Sequence, residues 1–237
     1  MKIASFVAIL ATAAGIAQAA QVNVTGAHTT SATGNNQIGV NQAAQNSFSA
    51  GSGSNFVTGV VRFSNTFDGT SQVLELTLTN FTWSSNSATP VTLRIDMVQD
   101  YTVAGSAVSA TGSHQLNGNA VFANSTQSAT VVANSTHEST ALPVLSYNSG
   151  VDGNSITKGQ GATTSVAISG GVYTIAASYV FTLSANGAVA SIVLPDSGVN
   201  NASLTLVPLP PAAWAGLGGL AFVGGASVAR RRRLARA

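Results

Sequence analysis

Residues 172–184 read VYTIAASYVFTLS. Tyr173, Ile175, Ala177, Tyr179, Phe181 and Leu183 recur at every second position, with Val172, Thr174, Ala176, Ser178, Val180 and Thr182 between them. A period of two puts one set on a buried face and the other on a wetter face, as in an antiparallel sheet. Gly170-Gly171 precede this run, and Asn186-Gly187 follow it and lead into 188–194. Gly-Gly and Asn-Gly pairs suit the primed turns that match the twist of paired strands. The spacing therefore predicts a three-stranded meander over 164–194, with 172–184 as its long central strand.

The same alternation appears elsewhere. In 72–80, Leu74, Leu76 and Leu78 face one way, and Val73, Glu75, Thr77 and Thr79 the other. In 90–100, Val91, Leu93, Ile95 and Met97 alternate with Thr92, Arg94, Asp96 and Val98. Further strands are expected at 56–63, 119–123, 129–133, 142–147 and 203–206. No long segment carries helical apolar spacing. Ser, Thr and Asn number 29, 25 and 18, and Gly adds 24; these residues weaken helices and favour turns and strands. About ten short strands over roughly 185 residues describe an all-β, antiparallel β-sandwich or jelly-roll-like domain. A parallel β-solenoid is the competing architecture, against which stands the lack of a fixed repeat period. The stretch 25–55 has few apolar residues and reads as a loose leader with one short strand or as a sheet edge.

Only 7% of the residues are charged, against roughly a quarter in an ordinary soluble domain. The formal charge of +2 is unevenly placed. Lys2 lies at one end and Arg230, Arg231, Arg232, Arg233 and Arg236 at the other. Between them, three basic residues (Arg62, Arg94, Lys158) face seven acids, a net charge of −4. An acidic body without clustered Lys or Arg argues against nucleic acid as a partner. Cysteine is absent, which does not argue against export, where disulfides are permitted and not required.

The ends read as addresses. One lysine, an apolar run from Ile3 to Ile16 and the A-x-A pattern of Ala17 and Ala19 are the three parts of a secretory signal peptide. Residues 1–19 are expected to be removed by signal peptidase after Ala19. At the other end, Val207-Pro208-Leu209-Pro210-Pro211 precede 18 uncharged residues, 212–229. As a helix these would reach about 27 Å, close to the ~30 Å hydrocarbon core. Trp214 stands near the outer interface, and Arg230 to Arg233 follow directly, held inside by the positive-inside rule. Prolines at 208, 210 and 211 remove backbone donors, so 207–211 is expected to stay extended and unpaired.

This tail resembles the PEP-CTERM sorting signal, in its VPLP-type variant. The resemblance covers 207–237, and Leu209 stands where the namesake motif has a glutamate. It implies recognition by an exosortase, a multi-pass membrane transpeptidase or protease of Gram-negative-type bacteria, which cuts near the proline motif. By position, Val207, Pro208, Leu209 and Pro210 would be the recognition motif. Residues 212–229 would be the transient membrane hold, and Arg230, Arg231, Arg232 and Arg233 the stop-transfer cluster. It implies a route through the inner membrane to the cell surface, extracellular matrix or biofilm. It carries no information on the body, residues 20–206.

Within the body, chemistry-bearing patterns are sparse. His28, His114 and His137 are far apart in polar surroundings with no paired metal-ligand spacing, which predicts surface histidines and no metal site. Ser155-Ile-Thr-Lys158 matches S-x-x-K, yet the accompanying S-D-N and K-T-G are missing. Paired carboxylates for glycosidic cleavage would need about 5 to 10 Å between them. Asp96 and Asp100 are expected to share a strand face pointing into solvent, with Asp96 paired to Arg94. Calcium loops at Asp68-Gly69 or Asp152-Gly153-Asn154 lack clustered acids. Trp83 is a candidate sugar-stacking platform, against its commoner place in a core.

The reading is of an exported, non-enzymatic surface protein with no cofactor. Its partners are signal peptidase and an exosortase, with extracellular polysaccharide as a further partner. The competing readings are a secreted carbohydrate-active hydrolase with the same tail and a bitopic membrane protein whose tail is never cut.

Overall fold

The computed structural model describes residues 21–33, 37–103, 107–138, 140–160, 171–196 and 200–208. The expected strand at 164–169 lies outside them. The elements in chain order are β1 (Gln21–Gly26), β2 (Thr30–Thr33), β3 (Gln42–Ser52), β4 (Asn55–Phe67), β5 (Gln72–Ser85), β6 (Val91–Thr102) and β7 (Ala107–Phe122). They continue as β8 (Ser128–His137), β9 (Thr140–Ala141), β10 (Leu145–Asn148), α1 (Ser149–Asp152), β11 (Ser155–Gln160), β12 (Val172–Ser184), β13 (Ala190–Leu194) and β14 (Asn201–Pro208).

Two antiparallel sheets form. The first has the order β10-β8-β12-β6-β1-β2, with β9 on β8. The second has the order β11-β7-β13-β5-β4-β3, with β14 also between β5 and β7. The described chain is therefore all-β and sandwich-like, and its antiparallel ladders overturn the solenoid alternative. One core cluster joins the inner faces. Phe81 of the second sheet stacks on Phe181 of the first, with ring centroids 4.7 Å apart. The Tyr101 hydroxyl donates to the Glu75 carbonyl across the two layers.

The inner row of β12 is the one its alternation predicts: all six residues from Tyr173 to Leu183 are buried. Along β5 the parity changes once. Leu74, Leu76 and Leu78 point inward, and then Phe81 and Trp83 do. Asn80 has φ 49°, and the ladder to β4 shifts between Thr58 and Val60. Gly59 thus faces Asn80 and Phe81 together, a β-bulge that inserts one residue and returns two aromatics to the core. A Cβ at Gly59 would lie 2.6 Å from the Phe48 ring, so a larger residue opposite that bulge would have to displace the ring.

Several expectations are corrected. The Asn186-Gly187 turn does not close a hairpin. β12 lies in the first sheet with β6 and β8 on its two edges, so no edge is free for β13, which pairs with β5 and β7 in the second. The turn is a crossover between layers. It is held by the Gln127 amide, which donates to Ala185 O at 2.7 Å and Ala188 O at 2.9 Å, and by Ser87 O, which accepts from Gly187 N. Of the two readings of 25–55, the sheet edge holds and the loose leader does not: β2 is the edge strand of the first sheet, beside β1, and β3 the edge strand of the second, along β4. At one end Asn65 and Gln72 are buried and donate to the carbonyls of Ile38 and Thr102, closing the layers with hydrogen bonds.

Phe181→Ala should cost about 3–5 kcal/mol in denaturant unfolding. A double-mutant cycle with Phe81→Ala should give a coupling of about 0.5–1.5 kcal/mol. A cost below about 1 kcal/mol for Phe181→Ala would contradict a close-packed contact between the sheets.

Candidate functional site

Ala17, Ala19, Leu209, Pro210 and Arg230, Arg231, Arg232 and Arg233 lie outside the described residues. Val207 and Pro208 lie inside them, and here the expectation of an unpaired motif is corrected. They end β14, opposite Ser109 and Ala107 of β7, with a register slip between them. The ladder to β5 stops two residues earlier, at Leu206 opposite Gln72. Proline lacks the N–H a ladder needs, so pairing ends where the prolines begin. Among the described residues no helix is long and apolar enough to cross a membrane; the span expected at 212–229 falls outside them.

The internal candidates separate. Ser155 and Lys158 lie on strand β11, where residues three apart point to opposite faces. Ser155 is exposed, and the Lys158 ammonium is 2.7 Å from Asp152. That partner and the Asn148 amide also occupy the Asp152 carboxylate and hold it below the usual carboxylate range. Asp68 closes its own turn. It accepts from the amide and hydroxyl of both Thr70 and Ser71, and these bonds, led by the Ser71 amide, pull its carboxyl far down.

Arg94 and Asp96 pair at 2.6 Å, as their spacing predicts. Asp100 shares that face of β6, yet it is buried and accepts from Thr174 Oγ1 at 2.6 Å, so it does not point into solvent. Four residues along a strand separate the two by about 13 Å, beyond the reach of a cooperating pair. Trp83 is fully buried, which removes the stacking platform.

The histidines are the largest departure. His28 is half-buried, and His114 and His137 are fully buried in place of lying on the surface. His114 comes from β7 in the second sheet, opposite Ala202 of β14. His137 ends β8 in the first sheet, opposite Ile175 of β12. The His114 ring meets the Tyr179 ring edge-on at 5.8 Å. Gly112, two residues before His114, packs closely: a Cβ there would be 3.1 Å from Leu142 Cδ2 and 3.7 Å from His137 Cδ2.

Neither nitrogen of either ring has a hydrogen-bond partner, nor have the hydroxyls of Ser135, Tyr173 and Tyr179. Burial pulls both histidines down to about 4, and for His114 the neighbouring His137 adds to it. At neutral pH both rings are therefore uncharged. No group of three or more His, Cys, Asp or Glu that could hold a metal occurs among the described residues.

One shallow bowl of about 440 Å³ opens on the outer face of the second sheet. Gln45, Arg62, Ser64, Glu75 and Thr77 line it. Glu75 accepts from Ser64 Oγ at 3.1 Å and Asn201 Nδ2 at 3.3 Å, while Arg62 is 2.9 Å from Asp196. The bowl presents hydrogen-bonding groups, and its one ring, Phe63, is buried.

No protein-family model matches the chain, and no curated protein matches it.

If Ser155 is an ordinary strand residue, a β-lactam-type acylating probe should leave it unlabelled, as intact-mass analysis would show. Lys158→Ala should cost less than about 1 kcal/mol of stability. Stoichiometric acylation of Ser155, abolished by Lys158→Ala, would overturn this assignment.

Proposed function

We propose that this chain is an exported, non-enzymatic surface protein of the extracellular matrix, biofilm or cell envelope. In this reading residues 1–19 are a signal peptide and 20–206 the exported body. The tail 207–237 is a sorting signal recognised and cut by an exosortase-type membrane transpeptidase. Until that cut, the span 212–229 holds the chain in the inner membrane, with Arg230 to Arg233 on the cytoplasmic side.

The observation that carries the proposal is where the body ends. Among the side chains described, the last buried one on β14 is Leu206. The next residue opens the VPLP motif. A cut within or just after 207–211 takes none of the described core side chains from the two sheets. It also spares the two-sided β14 ladder, which runs from Ala202 to Leu206. A tail built to be removed needs such a boundary. The hydroxyl- and amide-rich exterior suits a hydrated matrix, with a polar polysaccharide as the partner it fits best.

Substituting both prolines, Pro208→Ala and Pro210→Ala, should leave the protein in the inner-membrane fraction with its full mass. The denaturation midpoint of the body should be unchanged. Undiminished delivery of the double variant to the cell surface would contradict a proline motif read by the sorting enzyme.

A further inference from the structure

The buried pair His114 and His137 stands apart from the sorting motif. The two rings come from different sheets, β7 of one and β8 of the other, and both are sealed from water. A neutral imidazole tolerates such a place at the cost of its unmade hydrogen bonds. An imidazolium does not: its charge would be desolvated, and two of them would repel each other through a medium of low dielectric.

Among the described residues, no neighbouring acid offsets the burial of either ring. From β12, Tyr173 and Tyr179 face it; burial pushes their hydroxyls up, so they carry no negative charge in acid. From β14, Ala202 and Leu204 lie beside His114 and the neighbouring Gly112. From β11, Gln160 stands opposite His114, and Lys158 is committed to Asp152. From β10, the Tyr147 hydroxyl donates to Gly153 O. Glu138 follows His137 in the chain; its carboxylate accepts from Thr174 N at 3.0 Å, and its charge bears on the Tyr173 hydroxyl and not on either imidazole.

We propose that His114 and His137 form an acid-sensitive latch: when both take up protons, the β7 and β8 sides of the two sheets part and the sandwich opens there. The device is independent of how the tail is processed. Its direction follows from linkage. Above about pH 6.5 the histidines are neutral whether the chain is folded or not, and they bring no pH dependence. As the pH falls from 6.5 towards 4, the unfolded or opened chain binds protons that the closed one refuses, so stability is lost through that window. Each histidine should lower the closed-to-open ratio on the order of a hundredfold across it.

The test uses the full chain in mild detergent. Native-state hydrogen exchange at pH 7 and pH 4.5, expressed as protection factors, should show β7, β8 and β14 losing protection at the lower pH while β3 and β4 keep it. In the double variant His114→Leu/His137→Leu that selective loss should vanish. Single His→Gln variants, polar but not titrating near neutrality, should each remove about half of it on a logarithmic scale. Should the variants fail to fold, NMR titration of the wild-type imidazoles decides. Rings that stay neutral below pH 5 until opening begins support the latch. A midpoint above 6 for either ring in the folded protein, or an unchanged acid loss in the double variant, overturns it.

Discussion

The second sheet depends on β14, a strand hydrogen-bonded on both sides. It runs in the same lane as β13, between β5 and β7: β13 pairs with residues 81–85 of β5 and β14 with residues 72–77. Between the two, Asn200 keeps the lane continuous. Its carbonyl accepts from Leu78 N at 2.9 Å, and its side-chain oxygen accepts from Asn117 N at 2.5 Å. Buried backbone groups need partners, so without β14 the first halves of β5 and β7 would face each other across an unfilled gap. Ala202, Leu204 and Leu206 would leave the core with it. The last described strand is thus among the most constrained, and the proposed sorting motif, 207–211, begins at its end. In the proposed reading, that adjacency puts the boundary between what stays folded and what is discarded within a few residues.

Charge plays a small part in holding the body together. All three of its cationic residues are ion-paired, Arg62 with Asp196, Arg94 with Asp96 and Lys158 with Asp152. Pairs this exposed contribute about 0–1 kcal/mol each and are screened by salt. Stability rests on the apolar rows between the sheets and on the ladders. The outside is solvated by Ser, Thr and Asn. The low charged fraction of the body follows from that division.

How much of this was legible in the sequence depended on whether a signal was local. The inner rows of β12, β5 and β6 were, because period-two alternation states them directly. The Arg94–Asp96 pair was, because residues two apart on a strand are neighbours on one face. The bulge at Asn80 was not: Asn-Phe-Thr has no distinctive turn chemistry, and the parity change shows only when both flanking apolar rows are known to face one core. The crossover at Asn186-Gly187 was misread because a hairpin turn is specified locally, while sheet membership is set by distant strands. β7 was half missed because its inner row runs Ala110, Gly112, His114, Leu116, Gly118 and Ala120, small residues with little apolar signal. The buried histidines had a usable clue. Extending the inward row Ala129, Val131, Ala133 by two steps reaches Ser135 and then His137, so the alternation itself placed the ring in the core. His114 needed the three-dimensional pairing.

In the proposed reading the body ends at β14 and everything after the proline motif is removed. The intact mass of the protein recovered from the surface of the cells that make it tests this most directly. A chain beginning near Ala20 and ending within 207–211 is the predicted result. A surface protein whose mass still includes the segment through Ala237 would contradict it.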